Sequence, residues 1–292
     1  MRIQIIVLAH NEERRIAACL ASLPLGQPGV VVHVVVNGTH DATAAIARAA
    51  GAVVHEYADG GKARSWNRFV LDELADYADV CAFVDGDAEV APGSIVALAK
   101  ALTDNSNANA AAGLPLNGRS VASYRREMQR LHGMFGDLYA LRGTFLGRMK
   151  AAGIRLPEDL IGDDSLIGAL AKTDLGHEIG WVNDRIISCP DAGFYCESAT
   201  LWNLRSLRVQ YARMVNYSVR HFQNAIISAI LRGPGPAGLP SKLVSHYPAK
   251  LNGFKPRPSL RWWWFDRQAL ARMRRAAAAY QAPAQPKLAK IA

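Results

Sequence analysis

Val80-Cys81-Ala82-Phe83-Val84-Asp85-Gly86-Asp87 decides how this chain folds. Five apolar residues run without a polar interruption and stop at two carboxylates that flank a glycine. A short apolar run with no alternation is the pattern of a strand covered on both faces, as in a parallel sheet. Asp85-Gly86-Asp87 then falls at the strand's carboxyl end. The same pattern occurs upstream. Ile3–Leu8 is a β-branched run that ends at His10-Asn11-Glu12, Val30–Val36 ends at Asn37-Gly38-Thr39, and Ala52–Glu56 reads as a further strand. Between the runs the spacing turns helical. Ile16, Leu20 and Leu23 share a face in 11–23, Asp41 caps a helix over 42–50 that Gly51 ends, and Trp66, Phe69, Val70 and Leu74 share a face in 62–77. Strands that alternate with helices build βαβ units, and the expected architecture is an α/β, mostly parallel sheet flanked by helices. In such sheets ligands bind at the carboxyl ends of the strands, where the polar clusters of this chain gather.

Downstream, a helix is expected over 92–102, a polar loop over 104–109, a strand over 110–114 and mainly helix over 121–155. The acidic turn Gly162-Asp163-Asp164 precedes a helix over 165–173, 181–188 reads as a strand, and helices cover 200–232. Gly233-Pro234-Gly235-Pro236 breaks the pattern. It separates an expected catalytic unit, 1–232, from a C-terminal extension, 233–292, whose end from Pro283 onward reads as disordered.

The chain has 292 residues, half of them hydrophobic, enough for one large core. No stretch of about 18 uncharged apolar residues marks a membrane span. The N-terminus lacks the three-part pattern of a secretion signal. Cys19, Cys81, Cys189 and Cys196 show no CxxC or CxxH pairing and read as buried free thiols. These features lead to an expected cytoplasmic location. The net charge of +9 concentrates in the tail, where Lys255, Arg257, Arg261, Arg267, Arg272, Arg274 and Arg275 face only Asp266.

Each candidate motif has a plain structural use and a chemical one. Asp85 and Asp87 form an ordinary turn, or they hold Mg²⁺ or Mn²⁺ through oxygen ligands and so neutralise a diphosphate leaving group. Position at a buried strand's end favours the second. Asp163 and Asp164 cap a helix, or supply a general base, with Asp163 raising the pKa of Asp164. Gly60-Gly61-Lys62 followed by Asn67 is a solvated loop or a phosphate cradle. Gln210 and Arg213, three apart on a helix, form a solvated face or reach a diphosphate.

In this order the motifs resemble those of the family 2 glycosyltransferases with the GT-A fold. Ile5-Ile6-Val7-Leu8-Ala9-His10-Asn11-Glu12 resembles that family's opening strand, and Asn37-Gly38-Thr39-His40-Asp41-Ala42-Thr43 its second-strand turn. Gly61-Lys62 with Asn67 resembles its GK…N segment, Asp85-Gly86-Asp87 its DxD motif, Gly162-Asp163-Asp164 its GDD motif, and Gln210-x-x-Arg213 the QxxRW motif of polysaccharide synthases. The resemblance spans about residues 3–215. It implies inverting transfer from a nucleotide-diphosphate sugar, a UDP-sugar first, to an acceptor hydroxyl. Met214 in place of the motif's Trp and the lack of a membrane span lead to the expectation of a single sugar rather than a polymer, and a membrane-contacting tail would make the acceptor a polyprenyl-linked or cell-surface glycan. The resemblance implies Asp164, with Asp163, as the catalytic pair, and Asp85 and Asp87 as ligands of Mn²⁺ or Mg²⁺. His10, Asn11, Glu12, Asn37, Asp41, Lys62, Asp85, Gln210 and Arg213 would bind the donor. Val36 and Met214 depart from the family's Asp and Trp at those positions.

Arg261-Trp262-Trp263-Trp264-Phe265 combines aromatics with cations, and two readings fit it: packing onto the catalytic unit, or contact with an anionic surface on the inner face of the cell membrane. Two other functions compete with a transferase. A sugar-phosphate nucleotidyltransferase needs a glycine-rich basic loop after the first strand, where this chain has His10-Asn11-Glu12-Glu13. A non-catalytic membrane or nucleic-acid binder leaves the acidic set without a use, and the strands carry no RNA-binding aromatic signature, so no nucleic-acid partner is expected.

Overall fold

The computed structural model describes residues 1–118, 121–196 and 204–281, with side chains not described at 204–206. Eight strands form one sheet: β1 (Ile3–Ala9), β2 (Val30–Asn37), β3 (Val53–Tyr57), β4 (Val80–Asp85), β5 (Glu89–Val90), β6 (Ala110–Pro115), β7 (Leu138–Arg142) and β8 (Ile186–Tyr195). Their spatial order is β3-β2-β1-β4-β7-β6-β8-β5. β3, β2, β1 and β4 run parallel, as the apolar runs predict. β7 is antiparallel to both β4 and β6, β8 is parallel to β6, and β5 is antiparallel to β8, so the second half of the sheet is mixed.

Helices cover both faces. α1 (Ile16–Ala21), α2 (Thr43–Ala49), α3 (Lys62–Trp66) and α4 (Ser94–Asp104) follow the first strands. α5 (Val121–Leu131), α6 (Gly143–Ala151), α7 (Asp163–Thr173), α8 (Leu204–Arg232), the short α9 (Tyr247–Lys250) and α10 (Leu260–Gln281) follow. The unbroken apolar runs are explained by burial on both sides. Ile5 and Val7 of β1 pack with Ile16, Leu20 and Leu98, whereas Ile6 and Leu8 pack in the other layer with Trp66, Phe145 and Phe222. Each such side chain contributes about 1.5–3 kcal/mol by leaving water.

Three stretches differ from their sequence patterns. Residues 121–155 contain β7 between α5 and α6. Leu138-Tyr139-Ala140-Leu141-Arg142 has good helix formers and no alternation, because Leu138 and Ala140 face one layer and Tyr139 and Leu141 the other. Trp181–Arg185 forms turns, and the strand runs instead from Ile186 to Tyr195. The helix expected over 62–77 widens after Trp66 and ends at Glu73. The four cysteines are free, as expected, but Cys196 is only half-buried. The expected disorder from Pro283 onward, and the first residues of the helical expectation over 200–232, lie outside the described residues.

Residues 233–281, the expected extension, are mostly helical and pack against the residues before them. Ala269, Leu270, Met273 and Ala277 of α10 join the same core layer as Val219, Phe222 and Ile226 of α8. Inside the extension the fully buried Asp266 carboxylate accepts from the Arg257 backbone N–H (2.8 Å), Nε (2.9 Å) and Nη2 (2.6 Å), and Arg257 so held donates from Nη2 to Ser218 Oγ of α8 at 3.2 Å. No helix is long and apolar enough to cross a membrane among the described residues. Removing one partner of a buried ion pair strands the other. Asp266→Ala is therefore expected to cost about 3 kcal/mol, the low end for such a loss because Arg257 stays partly solvated. Chemical denaturation beside the parent protein measures it, and an unchanged midpoint contradicts it.

Candidate active site

The parallel register of β1 and β4 sets Leu8 beside Asp85, so the residues after both strands emerge on one edge of the sheet. Gly86 fits there because a Cβ would lie 2.9 Å from that of Ala9. β7 runs the opposite way, so its first residues, not its last, reach this edge. Leu138 pairs with Val84, and the carbonyl of Asp137 accepts from the Asp85 N–H at 3.3 Å. Asp85, Asp87 and Asp137 thereby bring one carboxylate oxygen each within 4.8 Å of one another. Asp137 was missed in the sequence because its neighbourhood reads as helix. Gly136 beside it keeps the approach to Lys62 open, since a Cβ there would lie 3.1 Å from Lys62 Nζ.

Lys62 sits one helical turn before Trp66, and residues four apart share a helix face. Trp66 stacks on Phe83 of β4 (5.7 Å between ring centroids), and Phe83 stacks on Tyr139 of β7 (4.8 Å). This aromatic ladder sets the start of α3 over the strand ends. Lys62 Nζ lies 2.6 Å from Asp85 and 3.6 Å from Asp163. Burial opposes the Lys62 charge, but Asp163 and Asp85 outweigh it and hold the ammonium protonated. Gly38 and Gly60 let the neighbouring loops touch, since a Cβ on Gly38 would lie 2.7 Å from Gly60 Cα. Asn37 ties these loops, donating to the Ala9 carbonyl and accepting from the Gly61 N–H.

Asp163 and Asp164 open α7, with Gly162 before them in a left-handed conformation (φ 83°). Both are buried. Arg220 of α8 donates to Asp164 Oδ2 at 2.9 Å and crosses Gly162 so closely that a Cβ there would lie 2.5 Å from its Nε. Burial raises the pKa of Asp164, Arg220 pulls it back and Asp163 pushes it up again, and the net shift is upward. Asp85 and Asp137 are also held above the carboxylate range, first by burial and then by neighbouring carboxylates. Cys196 donates to Asp137 Oδ1 at 3.2 Å, and burial keeps the thiol protonated.

Lys62, Asp85, Asp137, Asp163, Asp164 and Arg220 line one cavity of about 850 Å³. His10, Asn11, Glu12 and Asp41 form a polar rim at the ends of β1 and β2. His10 Nδ1 lies 2.6 Å from the Asn37 carbonyl, Asn11 accepts from the His40 N–H, and Asp41 accepts from the N–H groups of Thr43 and Glu13. Glu12 is engaged by Arg15, which also reaches Asp87 at 3.5 Å. Gln210 and Arg213 do not line the cavity. The part of α8 that does so carries Tyr217, Arg220 and Asn224, about one to three turns further along. Arg213 and Arg220 are about two turns apart on nearly the same face, so position along α8 puts Arg220, not Arg213, on the acidic pair.

The family model for glycosyl transferase family 2 matches residues 4–157, over half of the chain. The chain belongs to glycosyl transferase family 2. Its fold is also that of solved transferases. A mannosyltransferase from Pyrobaculum calidifontis, in complex with GDP-mannose and Mn²⁺, superposes with a TM-score of 0.58 at 20% identity over 97% of this chain and 76% of that one. Glucosyl-3-phosphoglycerate synthase from Mycobacterium tuberculosis, in complex with Mn²⁺, UDP and glucosyl-3-phosphoglycerate, does so with 0.51 at 19% identity over 74% and 79%. No curated protein matches the chain.

The transferase offers a divalent cation a fitting site. The cluster supplies only oxygen ligands, which suits Mn²⁺ or Mg²⁺, and Asp163 Oδ2 beside it is buried without a hydrogen-bond partner. Asp137→Asn removes one charge from this cluster. It is expected to weaken Mn²⁺ binding at least about tenfold, the loss typical of removing even an outer partner of a metal ligand. Calorimetric titration with Mn²⁺ measures this, and an unaltered affinity removes Asp137 from the site.

Proposed function

We propose that the transferase moves a single sugar, with inversion, from a nucleoside-diphosphate sugar to a hydroxyl held beside Asp164. The observation that carries this reading is the single cavity in which Lys62, Asp85, Asp137, Asp163 and Asp164 meet. Asp164 accepts the proton of the attacking hydroxyl, and its raised pKa makes it a better base than an exposed carboxylate. The hydroxyl oxygen bonds to the anomeric carbon as the bond to the diphosphate breaks, and the diphosphate leaves with the electron pair. Asp85, Asp87 and Asp137 would hold Mn²⁺ or Mg²⁺, which supplies charge to stabilise the leaving diphosphate. Lys62 adds a fixed cation beside them, and Arg220 orients Asp164. His10, Asn11, Glu12, Asn37 and Asp41 bound the nucleotide end, whereas Gln210 and Arg213 act from outside the cavity wall. The catalytic unit is 1–232.

A UDP-sugar is the proposed donor, by the motif resemblance and by the UDP in one structural neighbour. The GDP-mannose in the other makes GDP-sugars the competing choice. A thermal-shift panel of UDP-, GDP- and dTDP-sugars, with and without Mn²⁺, is expected to show one donor stabilising the protein only with metal. Asp164→Asn should keep that shift and lose about 10²–10⁴-fold in turnover. Absence of any donor response with Mn²⁺ refutes the proposal.

We further propose a polyprenyl-linked or cell-surface glycan acceptor, met at an anionic membrane surface. The start of α10 supports this. Leu260, Trp263 and Trp264 are exposed there, and Arg267 lies over the Trp263 ring at 4.7 Å. The protein is expected to sediment with phosphatidylserine vesicles and to stay in the supernatant after Trp263→Ser with Trp264→Ser. Equal sedimentation of both proteins counts against it.

A further inference from the structure

The cavity does not end at the catalytic carboxylates. It follows α7 along its length, through Asp164, Ser165, Gly168 and Ala169 to Lys172, and α8 from Tyr217 to Leu231. Residues four apart on a helix form one stripe, so Asp164, Gly168 and Lys172 mark a channel about 12 Å long between the first and the last. Its middle is apolar, walled by Met128, Met134, Leu166, Ile186 and Ile227. Its far end is not.

Lys172 is buried there, at 6% exposure. Nζ donates to the Leu131 carbonyl at 2.6 Å and faces the Trp181 ring at 4.9 Å. An ammonium has three donors, and a carbonyl takes one. Among the described residues no carboxylate comes within ion-pair distance of it. Glu178 lines the same end, but it is held by Arg232 at 3.1 Å and by Ser228 at 3.0 Å. Burial alone lowers the Lys172 pKa, with no neighbouring carboxylate opposing it. A buried cation with no counter-charge is costly and rare unless a partner arrives to meet it. Nothing in donor binding or proton transfer uses this group, since the diphosphate belongs with Lys62 and the carboxylate cluster.

We infer that this channel is the acceptor subsite, and that the acceptor is amphipathic: its hydroxyl at Asp164, an apolar segment along α7, and a carboxylate or phosphate on Lys172. The inference rests on Asp164 as the base, but the binding it describes needs neither donor nor metal. Pockets of this size hold apolar ligands oriented by a few convergent polar groups, and here the two polar ends set the ligand's length.

Calorimetry with ω-hydroxydecanoate, ω-hydroxydecyl phosphate and decane-1,10-diol tests it, because these share the span between Asp164 and Lys172 and differ at the end group. One or both anions should bind about tenfold or more tightly than the diol, the least expected of a charge-assisted hydrogen bond. The tighter anion identifies the end group. Lys172→Met should abolish the difference and Lys172→Arg should restore it, with the Mn²⁺-dependent donor shift unchanged in both. If the diol binds the parent protein as tightly as the anions, or if Lys172→Met keeps the preference, the subsite is refuted and Lys172 only caps the carbonyl end of α5. A missing donor response instead overturns the transferase site and leaves this measurement standing.

Discussion

The ammonium of Lys62, between Asp85 and Asp163, is the interaction on which the rest of the site depends. Carboxylates from the ends of β4 and β7 and the start of α7 converge on one partly dry pit. Two like charges about 4 Å apart repel by about 4 kcal/mol at the dielectric typical of such a place. Lys62, Arg220 on Asp164 and Arg15 on Asp87 are three cations against the five carboxylates of Asp85, Asp87, Asp137, Asp163 and Asp164. Burial first, and then the neighbouring carboxylates, raise the pKa values of Asp85, Asp137 and Asp164. A pit with more negative charge than its own cations balance is suited to receive a divalent ion, and then a diphosphate. The ladder of Trp66, Phe83 and Tyr139 holds Lys62 in place, so the deepest part of the apolar core and the charge balance of the site are one construction.

The two helices that close the site connect it to the rest of the molecule. α7 begins at Asp163 and Asp164 and ends near the buried ammonium of Lys172. α8 supplies Arg220 to that pair on one face, and on another packs Val219, Phe222 and Ile226 against the layer that includes α10. The C-terminal extension thus bears on α8 from behind. Its exposed tryptophans, Trp263 and Trp264, lie at the start of α10, before the turns that carry Ala269, Leu270 and Met273 into that core. Packing on the rest of the chain and an aromatic, cationic surface, which the sequence poses as alternatives, are properties of successive parts of one helix.

Residues that act through local chemistry were legible in the sequence. The buried strands showed themselves as unbroken apolar runs, and the polar clusters after β1, β2 and β4 fall where a parallel sheet must put them. Asp85, Asp87, Lys62, Asp163 and Asp164 could be singled out because each sits in a short motif at an element's end. Asp137 could not, because it arrives through an antiparallel strand whose five residues carry no periodicity. Arg220 could not be told from Arg213 either. Both lie on nearly the same face of one long helix, about two turns apart, and only how far along its length α8 meets α7 decides which arginine reaches Asp164. Lys172 was invisible for a related reason. Near the end of an ordinary helix a lysine reads as a favourable partner of the dipole, and nothing local reveals that its neighbours seal it from water.

The sequence by itself determined the βαβ beginning, the edge of the sheet that bears the site and the acidic residue types assembled there, because those follow from burial patterns and from motifs a few residues long. The tertiary structure alone decided which carboxylate completes the cluster, which arginine meets Asp164 and how far the cavity runs beyond it. Those depend on strand direction, the placement of a helix along its axis and the exclusion of water between segments far apart in the chain, and no local pattern encodes them.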